Sequence, residues 1–313
     1  MLYIIGLIAG FILANQSPIN AKLGATVKSP YISSLISFAI GTFFLIVVYL
    51  VSGQHIANLG NVANSNPWWI WIGGVLGVVY LTSNILMFPK LGAIQTIILP
   101  IVGQVLMGVI IDTFGLFGIS QTPISWLKIV GVIILFIGIY IAVVLVNKSE
   151  TKIERVSTTE NVSKTALNFW RVWGVIVGAL SAIQQAINGH LGYLLGSAVA
   201  SAVISFMIGT IIILVFVLIR EKPFLKIGDN LKQPPLWLFM GGILGGLFVF
   251  STALLVQKLG AGLTVTLALT GSILGSMVVS QFGLWQSPKH QVTRVQIIGI
   301  FVMIISVVLI KFG

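Results

Sequence analysis

The chain repeats itself. Gln16-x-x-x-Asn20-x-x-Leu23-Gly24, followed by Ser37-Phe38-x-Ile40-Gly41-Thr42, recurs as Gln184-x-x-x-Asn188-x-x-Leu191-Gly192, followed by Ser205-Phe206-x-Ile208-Gly209-Thr210. The offset is 168 positions throughout. It also pairs Lys90-Leu91-Gly92-Ala93 with Lys258-Leu259-Gly260-Ala261, Gly103 with Gly271, and Phe114-Gly115-Leu116 with Phe282-Gly283-Leu284. No gap is needed, and roughly a quarter of the paired positions are identical, so one ancestral unit was duplicated and fused. Whatever fold one half adopts, the other must adopt too.

That unit belongs in a bilayer. Hydrophobic residues make up 57% of the chain and charged residues 7%, outside the range of soluble domains. Apolar stretches of about 20 residues, the length needed to cross the hydrocarbon layer, fall near 2–21, 30–52, 68–88, 93–113 and 125–147. They recur near 170–190, 197–219, 236–256, 261–281 and 294–311. The sequence therefore predicts an all-α membrane protein of ten transmembrane helices, in two five-helix repeats, 1–147 and 169–313. A polar linker joins them at 148–168, rich in Lys, Glu, Ser and Thr and without apolar periodicity. The first stretch has no basic residue before Lys22, and its copy lies mid-chain, so it reads as a retained helix and not a leader.

An odd number of helices per unit makes the second repeat enter from the opposite side, an inverted repeat. Charge supports this. One set of loops and helix ends holds Lys22, Lys28, Lys90, Lys148, Lys152, Arg155, Lys164, Arg171, Arg220, Lys222, Lys226, Lys232, Lys289 and Arg294. The other holds Lys128, Lys258 and Lys311. The first set is expected to be cytoplasmic, which places the linker inside and both termini outside. The net charge of +11 is thus orientation charge, and no nucleic-acid partner is expected.

Polar residues within the predicted helices are the candidate functional groups, because each is costly in hydrocarbon. Gln16 and Asn20 are one turn apart on one face, with Pro18 between them; Gln184 and Asn188 repeat them. They can bond neighbouring helices, line a path for cargo, or gate it. Gln16 and Asn20 count toward the cytoplasmic end of helix one, and Gln184 and Asn188 toward the outer end of inverted helix six. As gates they would flank the midplane, one at each mouth. Helix four carries Thr96, Pro100, Gln104, Gly108 and Asp112 at four-residue spacing, copied as Thr264, Ala268, Ser272, Ser276 and Ser280. Gln104 and Ser272 fall near mid-helix, where carriers hold cargo. Tyr80, Ser83 and Asn84 extend the polarity along helix three. Asp112 is the one acid inside or bordering a predicted helix; it can carry a coupling proton, or it can be a hydrated residue at an interfacial turn. Lys90 and Lys258 are expected to snorkel, and Trp68, Trp69 and Trp71 to join the interfacial aromatic belt.

Other chemistries lack their residues. There is no cysteine, and His55, His190 and His290 are scattered, so no metal site is expected. Neither a phosphate-binding Gly-Lys-Ser/Thr loop nor paired catalytic carboxylates occur. The chain reads as a non-enzyme without a cofactor, its partners being the bilayer and an unidentified small molecule. Fused halves fit a monomer, with a homodimer also open.

The doubled Gln-x-x-x-Asn-x-x-Leu-Gly with Ser-Phe-x-x-Gly-Thr, and Gly103-Gln104 with Asp112-x-Phe114-Gly115-Leu116, resemble the YdcZ-like family of the drug/metabolite transporter superfamily. Many of its members are single five-helix units, and this chain looks like a fused pair. The resemblance implies a ten-helix secondary carrier in the bacterial cytoplasmic membrane with a cavity between the halves. A channel or lipid flippase on the same scaffold, or a non-transporting membrane subunit, is the alternative. Gly271-Ser272 and Ser280 depart from the pattern, so the halves are expected to differ in role. The related small multidrug resistance proteins use a glutamate in their first helix, which this chain lacks.

Overall fold

The computed structural model describes residues 1–53, 59–145, 164–221, 234–287, 289 and 291–313. No strand occurs among them. The helices are α1 Leu2–Val27, α2 Pro30–Val51, the short α3 Leu59–Ser65, α4 Gly73–Phe114 and α5 Trp126–Ile139. They continue as α6 Lys164–Leu194, α7 Ala198–Arg220, α8 Met240–Leu259, α9 Ala261–Phe282 and α10 Arg294–Phe312. Leu2–Val27, Pro30–Val51, Thr165–Leu194, Ala198–Arg220, Leu236–Leu259 and Ala261–Phe282 are each long and apolar enough to cross a membrane. Gly73–Met87, Leu99–Phe114, Trp126–Ala142 and Arg294–Ile310 are shorter apolar helices.

Several boundaries differ from the sequence expectation. α1 runs on to Val27: Lys22 favours a helix, and the hydroxyl of Thr26, a weaker former, donates back to Lys22 O at 2.9 Å. It stops where Lys28 turns left-handed (φ 58°) and Ser29 caps α2, its Oγ accepting from Ile32 N at 3.2 Å, with Pro30 at the first helical position. The copy uses Gly196 (φ 65°) and Ser197, whose Oγ accepts from Ala200 N at 3.0 Å. α6 begins at Lys164, so the last residues of the expected linker are helical; residues 148–163 lie outside the described residues. Trp68–Trp71 is a 3-10 turn ahead of α4, α5 loosens into a wide helical turn at Tyr140–Leu145, and α3 was not expected.

α4 is helical over 42 residues, yet it cannot be straight. Straight, it would put Tyr80 and Gln104 about 36 Å apart at 1.5 Å per residue. Gln104 Nε2 in fact lies 3.3 Å from Tyr80 Oη, so α4 is a hairpin of two limbs folded side by side between residues 84 and 99. In the copy the reversal is an open break at Gly260, whose φ of 82° and ψ of 164° suit glycine alone.

The halves interlock by reciprocal contacts, mostly through glycine. Gly10 of α1 receives the Ala268 carbonyl of α9 where a side chain would sit; Gly178 of α6 receives the Pro100 carbonyl of α4 in the same way. Gly103 faces the Val175 carbonyl, and Gly271 the Leu7 carbonyl. Each contact maps onto its mate when both partners shift by 168 in opposite senses, which is the signature of a two-fold relation. Helices in lipid associate by close backbone packing more than by hydrophobicity, and these missing side chains permit it. α2 packs on α7, and α5 on α10, across the same relation. Phe43, Ile219 and Phe301 point outward, exposed as a lipid-facing surface would be.

Candidate functional site

The duplicated amides face glycines of the opposite half. Gln16 and Asn20 of α1 meet Gly245 and Gly241 of α8. Gln184 and Asn188 of α6 meet Gly77 and Gly73 in the first limb of α4. A methyl group on Gly73 would occupy the place of Asn188 Oδ1, and one on Gly241 the place of Asn20 Oδ1. Both asparagines are 1% exposed, and the side-chain nitrogen and oxygen of each have no hydrogen-bond partner. Their backbone carbonyls are held instead: Ser33 Oγ donates to Asn20 O at 2.8 Å and Ser201 Oγ to Asn188 O at 2.6 Å. The pairs are therefore brought against the facing helix at two separate places, and not into one cluster.

A second polar group forms between the limbs of α4. Gln104, buried, donates to Tyr80 Oη at 3.3 Å, and Asn84 bonds the same phenol. Beside it Trp173 of α6 donates Nε1–H to Ser83 Oγ at 3.0 Å. Three of the predicted residues thus meet. Ser272 lies on α9, where the backbone packs on Gly10 of α1.

Asp112 is neither hydrated nor free. It is 3% exposed, and its carboxylate caps the start of α9: Oδ1 accepts from Ala261 N at 2.6 Å and Oδ2 from Gly262 N at 2.7 Å. An acid at a helix N-terminus meets both unpaired N–H groups and the positive end of the dipole. Gly262 and Gly108 allow the approach, their backbones facing each other. Lys128 Nζ lies 3.9 Å from Oδ2 and donates to Thr122 Oγ1 at 2.9 Å, while Thr122 N donates to Asp112 O at 2.8 Å. The acid thus ties three segments together across the halves. Lys128, 5% exposed, was missed as a functional residue because it counted only as a loop charge. The duplication holds the missed signal: the copies of Asp112 and Lys128 are Ser280 and Gln296, so both partners lose their charge together.

Lys90 lies over the Trp170 ring, 5.9 Å from its centre, a cation–π contact more specific than snorkelling. Ser29 Oγ donates to Glu221 Oε1 at 2.8 Å, linking the start of α2 to the end of α7.

Known proteins resolve what such an assembly is. The family described as "Putative inner membrane exporter, YdcZ" matches this chain twice, over residues 1–141 and 169–309. The chain belongs to the YdcZ family of drug/metabolite transporters. Inner membrane protein YdcZ of Escherichia coli (strain K12) is 28% identical over 133 residues, which is 42% of this chain and 88% of that protein. A solved structure titled only "Crystal structure of protein" superposes with a TM-score of 0.62 at 11% identity, covering 98% of this chain and 96% of the other; that likeness speaks to the fold alone. The YdcZ assignment makes this a membrane protein of a transporter family and not of an enzyme class.

Proposed function

We propose that the chain is a secondary carrier that moves a small molecule across the cytoplasmic membrane by alternating access. In this reading all ten apolar helical segments cross the bilayer. Residues 169–313 are inverted relative to 1–147, residues 148–168 are cytoplasmic, and both termini are outside. The two-fold axis then lies in the membrane plane. The observation that carries the reading is the reciprocal contact set: each half lays its amide helix, α1 or α6, on the glycine face of the other. An inverted pair of identical closures puts one near each mouth, and opening either leaves the other made. The duplicated closures bring the two arrangements close in energy, as a carrier requires, and the one-sided Asp112 clasp leaves them unequal.

Cargo in this reading contacts the Tyr80, Asn84 and Gln104 group from the first half and the region of Ser272 from the second. Asp112 fastens the outer ends of the halves. A coupling proton on Asp112 would act by loosening its hold on the start of α9.

Purified protein in liposomes tests the proposal. A panel of small labelled solutes is offered with and without an unlabelled pool inside. A carrier shows uptake accelerated by the opposing pool. Flux without that acceleration makes it a channel or flippase, and no flux for any solute fits a non-transporting subunit.

A further inference from the structure

The duplicated Phe-Gly-Leu motif has an aromatic residue after it in both copies, Phe117 and Trp285. Both hold left-handed backbone, with φ of 56° and 58°. Bulky L-residues avoid this region because the side chain crowds the following carbonyl. Ending the helix does not require it, since Gly115 (φ 63°) and Gly283 (φ 62°) already cap α4 and α9. The left-handed turn instead sets Trp285 against Asn15 of the first half, and Phe117 against Trp69, which in turn stacks on His190 of the second half.

Phe117 packs edge-on against Trp69, with ring centres 5.6 Å apart at 77°. Trp69 stacks on His190 near the end of α6, at 5.6 Å and 27°. Gly118 (φ 71°) lets the turn close on that ring, since a methyl group there would overlap the imidazole. Trp285 packs on Trp237 at 5.6 Å and 44°, and donates Nε1–H to Asn15 Oδ1 of α1 at 2.8 Å. Trp69 and Trp237 are themselves 168 positions apart. The gripped helices, α1 and α6, are the two that carry the duplicated amides.

We propose that the two aromatic turns are the latches of the two mouths, each holding the amide helix of the other half at its own end of the molecule. The inference rests on the alternating-access reading. A latch must release, and strained backbone offsets part of the contact it makes, which keeps closed and open arrangements close in energy. The two latches are unequal. Gln286 is also left-handed (φ 61°) where the other turn has Gly118, so the Trp285 turn carries more strain and opens the more readily.

The absence of cysteine makes labelling of single introduced cysteines a clean readout. Thr96→Cys and Thr264→Cys are a 168-related pair of buried reporters; Thr264 lies one turn into α9 from the Asp112 contact. Vesicles of both orientations are treated with a membrane-impermeant maleimide. Trp285→Gly removes ring and strain together and is expected to raise Thr96→Cys labelling roughly threefold or more while lowering that of Thr264→Cys; Phe117→Gly does the reverse. Trp285→Phe keeps a ring but loses the bond to Asn15 and shifts in the same direction by less. Gln286→Gly removes strain and keeps the contact, so it lowers Thr96→Cys labelling, an effect that a merely structural turn would not produce. Equal changes at both reporters, or no change with Gln286→Gly, overturn the latch. Labelling needs no cargo, so a failed flux assay would sink the carrier reading and leave this test standing, whereas equal labelling would sink the latch and leave the carrier.

Discussion

Thr42 Oγ1 and Thr210 Oγ1 lie 2.8 Å apart, and the two residues are copies of one another. A residue touching its own copy marks the place where the two-fold axis runs. Phe38 and Phe206, also copies, meet one turn away with ring centres 5.0 Å apart. Each hydroxyl also reaches back 2.8 Å to the carbonyl four residues before it, so neither is left unsatisfied in the apolar α2–α7 seam.

Glycine makes that seam possible, and mutation should show it symmetrically. A methyl group on Gly41 would strike the Phe206 ring and the Gly242 carbonyl; on Gly209 it would strike the Phe38 ring and the Gly74 carbonyl. An ordinary helical glycine gains about 1 kcal/mol on change to alanine. Gly41→Ala and Gly209→Ala are expected to lose about 1–3 kcal/mol instead, by overpacking. Thermal unfolding in detergent is the measurement. A stabilised variant at either position would mean the helices part easily there.

Tyr80 and Gln104 make a different test, of the fold of α4. Tyr80→Phe removes the hydroxyl that joins the limbs and is expected to cost about 1 kcal/mol, the usual worth of one hydrogen bond. A Tyr80→Cys, Gln104→Cys pair should be bridged by a short bifunctional maleimide, which could not span the roughly 36 Å that a straight α4 would put between them. If that reagent bridges a control pair of facing helices but not this one, the hairpin is wrong. In a working carrier Tyr80→Phe should also raise the half-saturating cargo concentration more than it lowers the maximal rate.

The duplication and the helix positions were legible in the sequence because identical residues at one offset and long apolar runs are one-dimensional signals. The pairing of α1 with α9, and of α6 with α4, was not. Gly10 and Gly178 make those contacts by having no side chain, against bare carbonyls of Ala268 and Pro100, and nothing in such a pair announces its partner. Polarity marked Gln16, Asn20, Gln184 and Asn188 as special but gave no direction; the glycines opposite them supply it. Asp112 looked like a surface turn because it is followed by Thr113-Phe114-Gly115, and only the fold brings the start of α9 to it. The reach of α1 to Val27 and of α6 back to Lys164 was missed because apolarity reports the bilayer, and helices continue past it.

Orientation has its own test. Positive charge gathers on one set of ends, and the proposal places Gly313 outside and residues 148–168 inside. A phosphatase fusion, active only outside, should be active at Gly313 and silent in the 148–168 segment. The opposite pattern would invert every side assigned here while leaving the reciprocal contacts intact.

The Asp112–Lys128 pair predicts strong non-additivity. Asp112→Ser alone leaves Lys128 buried with no charge partner and uncaps two N–H groups, a loss of about 3–5 kcal/mol. Lys128→Gln alone should cost less, because Ala261 N and Gly262 N still hold the carboxylate. Making both changes copies the natural second half, Ser280 with Gln296, and should recover at least about 1 kcal/mol of the summed losses. Unfolding of the four proteins under one condition closes the cycle. Strict additivity would mean that the two groups do not sense each other at 3.9 Å.

Asn20 and Asn188 carry the last prediction, because their two possible roles pull stability in opposite directions. Each amide is buried against glycine with neither side-chain atom bonded, and a buried amide without partners costs about 1–3 kcal/mol. A residue kept only for packing would be better as leucine, which has the same branching, is bulkier and is free of that cost. Asn20→Leu and Asn188→Leu are therefore expected to unfold a few degrees higher in detergent. They should nevertheless transport poorly, since a closure that is stabilised no longer balances the open arrangement. A gain of about 1 kcal/mol at one mouth shifts the populations about five- to sixfold. The two variants should do so in opposite senses, read by labelling of single cysteines from each side. Should both variants unfold lower instead, the amides have partners such as ordered water in the native protein, and their place at the closures would be structural.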